Sequence, residues 1–157
     1  MKRTHTAVLL ALVVAVPAAA STLFVSGSKP CFIAGDTGYR MSDSAAANIT
    51  VRIDNAAAKP DLRLQLTDDA AAADFVLVDD GDSANACAGA TAIRSIRLDP
   101  TAAKADLTVA LSRAPAAHKI YVRSAGFSRE DAAALFAVIW RNEEKSAGST
   151  RAFAARN

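Results

Sequence analysis

The stretch VRIDNAAAKPDLRLQL, Val51 to Leu66, returns as IRLDPTAAKADLTVAL, Ile96 to Leu111, with eight of sixteen positions identical. An overlapping stretch, LQLTDDAAAADFVLVD from Leu64 to Asp79, shares the Ala-Ala-x-x-Asp centre. The three obey one grammar. Alternating apolar residues make a strand, and an oxygen-bearing side chain (Asp54, Thr67 or Asp99) then stands where it can cap free amides. An alanine-rich stretch that favours a helical turn follows, and Asp61, Asp74 or Asp106 closes the unit before the next strand. The repeat is a unit of architecture and carries no signature of a particular chemistry.

Read outward from that grammar, strands are expected at 49–53, 62–66, 75–79, 93–98, 107–111 and 119–123, with short helices near 55–60, 68–73 and 100–105. Pro100 suits the first position of a helix, where its missing N–H does no harm. Connections this brief are shorter than a parallel crossover usually requires, so at least some neighbouring strands are expected to pair antiparallel or to sit apart. A helix should begin after Ser128, an N-cap with the acidic first turn Glu130-Asp131 and a hydrophobic staple at Phe127. Leu135, Phe136, Ile139 and Trp140 mark its apolar face, with Trp140 as the expected core anchor. The fold class is α/β or α+β: one small domain over residues 31–142, its mixed sheet built from strand and short-helix repeats and packed against a C-terminal amphipathic helix. Residues 145–157 are polar, small and aperiodic, as in a flexible tail.

Residues 1–20 read as an export signal, with Lys2 and Arg3 before an apolar stretch and Pro17-Ala18-Ala19-Ala20 as a small-residue cleavage site. Residues 7–25 carry no charge and are long enough to anchor an uncut chain in a bilayer. Either reading places the domain outside the cytoplasm; the short, alanine-rich signal suggests a bacterium, hence the periplasm or the extracytoplasmic face of the inner membrane, with a eukaryotic secreted protein as the alternative. The formal charge is +2, but Lys2 and Arg3 belong to the signal, so the rest of the chain is balanced. That balance argues against nucleic acid as a partner and against membrane attachment other than through the N-terminal segment. The two cysteines, Cys31 and Cys87, are expected to form a disulfide in an oxidising compartment.

Few residues carry chemistry. The acidic loop Asp79-Asp80-Gly81-Asp82 lacks the spacing of a calcium loop and reads as a turn, so no metal is expected. No phosphate-binding glycine loop is present, and no cofactor is expected. His118 is the only histidine after the signal; a small hydrolase using His118 with a nearby serine or carboxylate is the alternative function, unsupported by any nucleophile motif. The leading expectation is a non-catalytic binding or structural module. Arg52, Arg63, Arg97 and Arg123 alternate with apolar residues inside the strands, which should send them to one solvated face. Such a face suits an anionic envelope component or an acidic protein partner.

Overall fold

The computed structural model describes residues 31–79 and 86–154. The segments read as export signal or anchor lie outside the described residues, as do Asp80, Gly81 and Asp82 of the acidic loop. Eight strands follow in chain order: β1 (Cys31–Ala34), β2 (Thr37–Met41), β3 (Ile49–Ile53), β4 (Leu62–Leu66), β5 (Phe75–Asp79), β6 (Ala92–Leu98), β7 (Leu107–Ser112) and β8 (His118–Ser124). Helix α1 (Arg129–Ala154) closes the order. All six strands expected from alternation are present. The hairpin of β1 and β2 is an addition to them; it turns through Gly35, whose φ of 58° is open to glycine at no steric cost.

The strands form one sheet in the order β1-β2-β6-β3-β7-β4-β8-β5. Only β1 and β2 pair antiparallel, and every other neighbouring pair is parallel. Of the two arrangements expected for strands joined this briefly, antiparallel pairing and separation, the repeat units take the second, and the repeat supplies the reason. Consecutive strands of one copy are never neighbours: β7 lies between β3 and β4, and β3 lies between β6 and β7. The two copies interdigitate, so each connection crosses a strand of the other copy on its way back to the leading edge.

Those connections are turns, with the single short 3-10 helix Ala70–Ala72 among them; the helices expected at 55–60 and 100–105 do not form. Residues 54–61 or 99–106 must return along the whole length of a strand, which an extended chain achieves and a compact helix of the same length does not. Hydrogen bonds replace the helices. Asp54, Thr67 and Asp99 each accept the amide N–H two residues on, forming Asx and Ser/Thr turns in place of helix caps.

A second device sits at the leading edge. The Asp61 amide donates to the Thr108 carbonyl (2.8 Å) while its Oδ2 accepts the Thr108 amide (2.6 Å). Asp74 grips Lys119 and Asp106 grips Thr50 in the same two-pronged way. Asn48 and Ser95 form a related pair through Asn48 Oδ1 and Ser95 Oγ. Asn48, Asp61 and Asp74 recur every thirteen residues, and the Asp that closes each unit clamps the parallel strand beside the one it opens.

The sheet is curled, and α1 lies in its concavity. The helix packs on β3, β6, β7 and β8, its Phe136 ring meets Phe75 of β5 at 5.5 Å, and Asn142 donates to the Tyr39 hydroxyl of β2. Ala132 to Val138 are consequently buried on every side of the helix. An amphipathic helix buries one stripe, whereas an enclosed one is apolar all round, and the run of alanines lets the strands close in. Trp140 is only half-buried at the rim; Leu135, with no exposed surface, takes the anchoring place expected of it. Ser128 and Asp131 cap the first turn reciprocally, each side chain accepting the other's amide N–H. At its other end the helix runs to Ala154, past the point where the apolar spacing ends.

Cys31 and Cys87 are joined, with Cα atoms 5.8 Å apart, which suggests an oxidising, extracytoplasmic compartment. A loop of this length stabilises a fold by about 4 kcal/mol on chain entropy alone. The bridge lies over Gly38, where a Cβ would stand 2.8 Å from Cys87 Sγ; the strand needs glycine there for close approach.

Candidate functional site

Strand pleating sorts the side chains into two sets. Inward from the sheet point Val51, Leu64, Ile96, Val109 and Ile120, all fully buried. Outward point Arg40, Arg52, Arg63, Arg97, Lys119 and Arg123, so every charged residue facing outward from a strand is a cation. The four arginines singled out by alternation therefore share the face opposite α1.

They do not form one cluster on it. Leu64 faces His118 across β4 and β8, which sets Arg63 beside the start of β8; Arg123 stands near its end, roughly 17 Å further on by strand rise. Arg52, Arg63 and Arg97 are held by neighbouring groups. Arg52 donates to the Ala102 carbonyl (3.0 Å) and Thr108 Oγ1, and Arg63 donates to the carbonyls of Ala57 and Ala58. Arg97 pairs with Asp99 at 2.8 Å. The cause is the interdigitation: connections 54–61 and 99–106 pass over the outer face, where Arg52 and Arg63 satisfy carbonyls along them and Arg97 meets the Asp99 carboxylate. Ala110, buried on the outer face of β7, marks the same cover. Arg52 and Arg97 are half-buried, while Arg40, Arg63 and Arg123 remain exposed.

The Thr101 amide and hydroxyl hold the Asp99 carboxyl below its ordinary range, with a smaller contribution from Arg97. Arg113 does the same to Asp68 through a two-bonded ion pair that joins the connections after β7 and β4. These aspartates are structural partners on the exposed turns.

His118 points inward at the leading edge of β8, its ring 5.7 Å from both Phe136 and Trp140. Among the described residues no serine or carboxylate lies within hydrogen-bond reach of it, and no group of three metal-ligating side chains occurs. No described helix is long and apolar enough to cross a membrane.

A basic recess that the repeat grammar does not announce lies where α1 leaves the sheet. Asn48, Ile49, Asp106 and Leu107 line it from the leading edge, Arg94 from β6, and Val138, Arg141, Asn142 and Lys145 from the helix; its volume is about 140 Å³. Its signal in the sequence is one of parity. Counting back by two from the apolar Ile96 places Arg94 inward, opposite in sense to its neighbours Ile93 and Ser95. Comparison of the chain with protein-family models, curated proteins and solved structures finds no match.

Proposed function

We propose that this chain is a non-catalytic binding module of the bacterial cell envelope, working in the periplasm or on the extracytoplasmic face of the inner membrane. Its outer sheet face docks an anionic envelope component or an acidic protein partner. The observation that carries this reading is the segregation of charge: outward strand positions hold cations and no acid, while the concave face is filled by α1. Arg52 and Arg97 hold the crossing connections in place, and the exposed Arg40, Arg63 and Arg123 are the groups that meet a partner. The disulfide supports the compartment.

The test is binding to poly-glutamate and to an acidic polysaccharide, compared between the wild type and the double variant Arg40→Glu/Arg123→Glu. Both positions are exposed, where substitutions cost little stability. Binding should weaken as salt rises and fall about tenfold in the double variant, a difference that rim charges of this kind produce. Salt-insensitive binding, or equal binding by the variant, defeats the proposal.

A further inference from the structure

We propose that the recess at the exit of α1 is a binding site for a phosphate-like dianion, free or as the head of a phosphomonoester. This goes beyond the outer-face reading and is independent of it, because the recess opens at the leading edge and at inward-facing positions.

The first observation is a breach of the inward apolar pattern. In β6 the inward positions are Ala92, Arg94, Ile96 and Leu98. The residue corresponding to Arg94 in the earlier copy is Ile49, forty-five positions back; thirteen positions on it is Leu107. Both of those line the same recess. Arg94 is the one arginine or lysine at an inward strand position, and it faces the cavity whose floor its two apolar counterparts supply. A sequence otherwise consistent with its fold departs from the pattern where function requires it.

The second observation is the unequal balance of donors and acceptors. Three cations, Arg94, Arg141 and Lys145, line the recess against one carboxylate, Asp106. The Asp106 Oδ2 already accepts the Thr50 amide at 2.7 Å. Asn48 has its Oδ1 occupied by Ser95, so what it offers the recess is its amide N–H₂ group. Arg141 Nη1 donates to the Asp106 main-chain carbonyl at 2.6 Å; this fixes the guanidinium at the rim and leaves its remaining donors for a ligand. Arg94 has no hydrogen-bond or ion-pair partner among the described residues. Two guanidinium forks and an ammonium beside an amide donor match a tetrahedral oxyanion, which accepts several hydrogen bonds at once. The apolar floor of Ile49, Leu107 and Val138 has room beneath the cations for a short organic substituent.

The recess also has a rigid frame. Asn48 and Asp106 are two of the leading-edge clamps, and Asn142 is tied to Tyr39 at 3.1 Å. Both walls are held before any ligand arrives, so binding orders little beyond the Arg94 and Lys145 side chains.

Calorimetric titration of the disulfide-bonded protein with inorganic phosphate and with glycerol phosphate tests this, alongside flotation with phosphatidate-containing vesicles. The key variant is Arg94→Ile, which restores the residue of the earlier copy and should fold with an unchanged or raised Tm. Lys145→Gln is a second, exposed change. Wild type should bind a soluble phosphate saturably with Kd at or below about 1 mM, and Arg94→Ile should weaken this about tenfold or more. Vesicle binding lost in Arg94→Ile, with no affinity for the soluble phosphates, supports the same site and assigns the dianion to a lipid headgroup. Absence of binding to all three probes, or binding unaffected by both variants, overturns the proposal. Arg40→Glu/Arg123→Glu should leave phosphate affinity unchanged, which separates failure here from failure of the outer-face reading.

Discussion

The two faces of the sheet are made by alternate residues of the same strands, yet they solve different problems. On the concave face, branched apolar side chains close around a helix made thin by alanine, and burial there is complete at Val51, Ile96, Val109 and Ile120. On the convex face the alanines lie in the crossing connections, and arginine and aspartate satisfy the backbone groups those connections leave open. Alanine serves both sides for one reason: it lets a backbone approach closely. What differs is the source of cohesion, which is apolar burial within and hydrogen bonding without.

Adjacent residues of β4 put that contrast to its strongest test. Leu64 is 1% exposed, and Leu64→Ala should cost about 3 kcal/mol through lost burial and the cavity left behind. Arg63→Ala, one residue away on the exposed face, removes bonds to two carbonyls that water can reach and should cost no more than about 1 kcal/mol. Urea denaturation of both variants reads the difference; comparable losses would show that the crossing connections contribute as much as the interior.

The convex face was legible in direction but not in use. Alternation placed Arg52, Arg63, Arg97 and Arg123 on one side correctly, because the burial of Leu62 and Leu64 fixes the pleat. It did not reveal that Arg52 would reach the Ala102 carbonyl fifty residues away, since that depends on β3 lying between β6 and β7. Strand order is a matter of long-range pairing, and local pattern is silent on it. The hairpin of β1 and β2 leaves little trace in the sequence because its strands are short and Gly38 interrupts the alternation. Arg94 was open to a parity count, but its inward direction gains meaning only once α1 is known to end beside it.

Within the hydrogen-bonded set, the leading-edge clamps sharpen the comparison further, since they are local devices acting between neighbouring parallel strands. Asp61→Ala strips the Thr108 amide of its side-chain acceptor and should cost about 1–2 kcal/mol. Asp61→Asn keeps an acceptor at the same place, as Asn48 does for Ser95, and should cost well under half as much. Thermal melts at neutral pH compare the pair. Equal losses would mean that the carboxylate charge, and not the two-pronged geometry, holds β4 to β7.

The smallest expected effect comes from the exposed turns. Asp99 accepts hydrogen bonds from the Thr101 amide and hydroxyl and pairs with Arg97, and these hold its carboxyl below the ordinary range. A carboxylate whose folded pKa is lowered contributes stability that is fully present above its unfolded value, about pH 4, and is lost as pH falls through the lower folded value. Wild type should therefore lose stability on acidification partly through Asp99. Asp99→Asn, which cannot titrate, should be somewhat less stable at neutral pH and should draw level with wild type once pH falls below the lowered folded value. Because the half-buried carboxylate still meets solvent, screening keeps the difference small, so it is best read as a narrowing gap between denaturation midpoints at pH 7 and pH 3. A gap that stays constant across that range would remove the charge of Asp99 from the account and leave the Asx-turn geometry alone to stabilise the connection between β6 and β7.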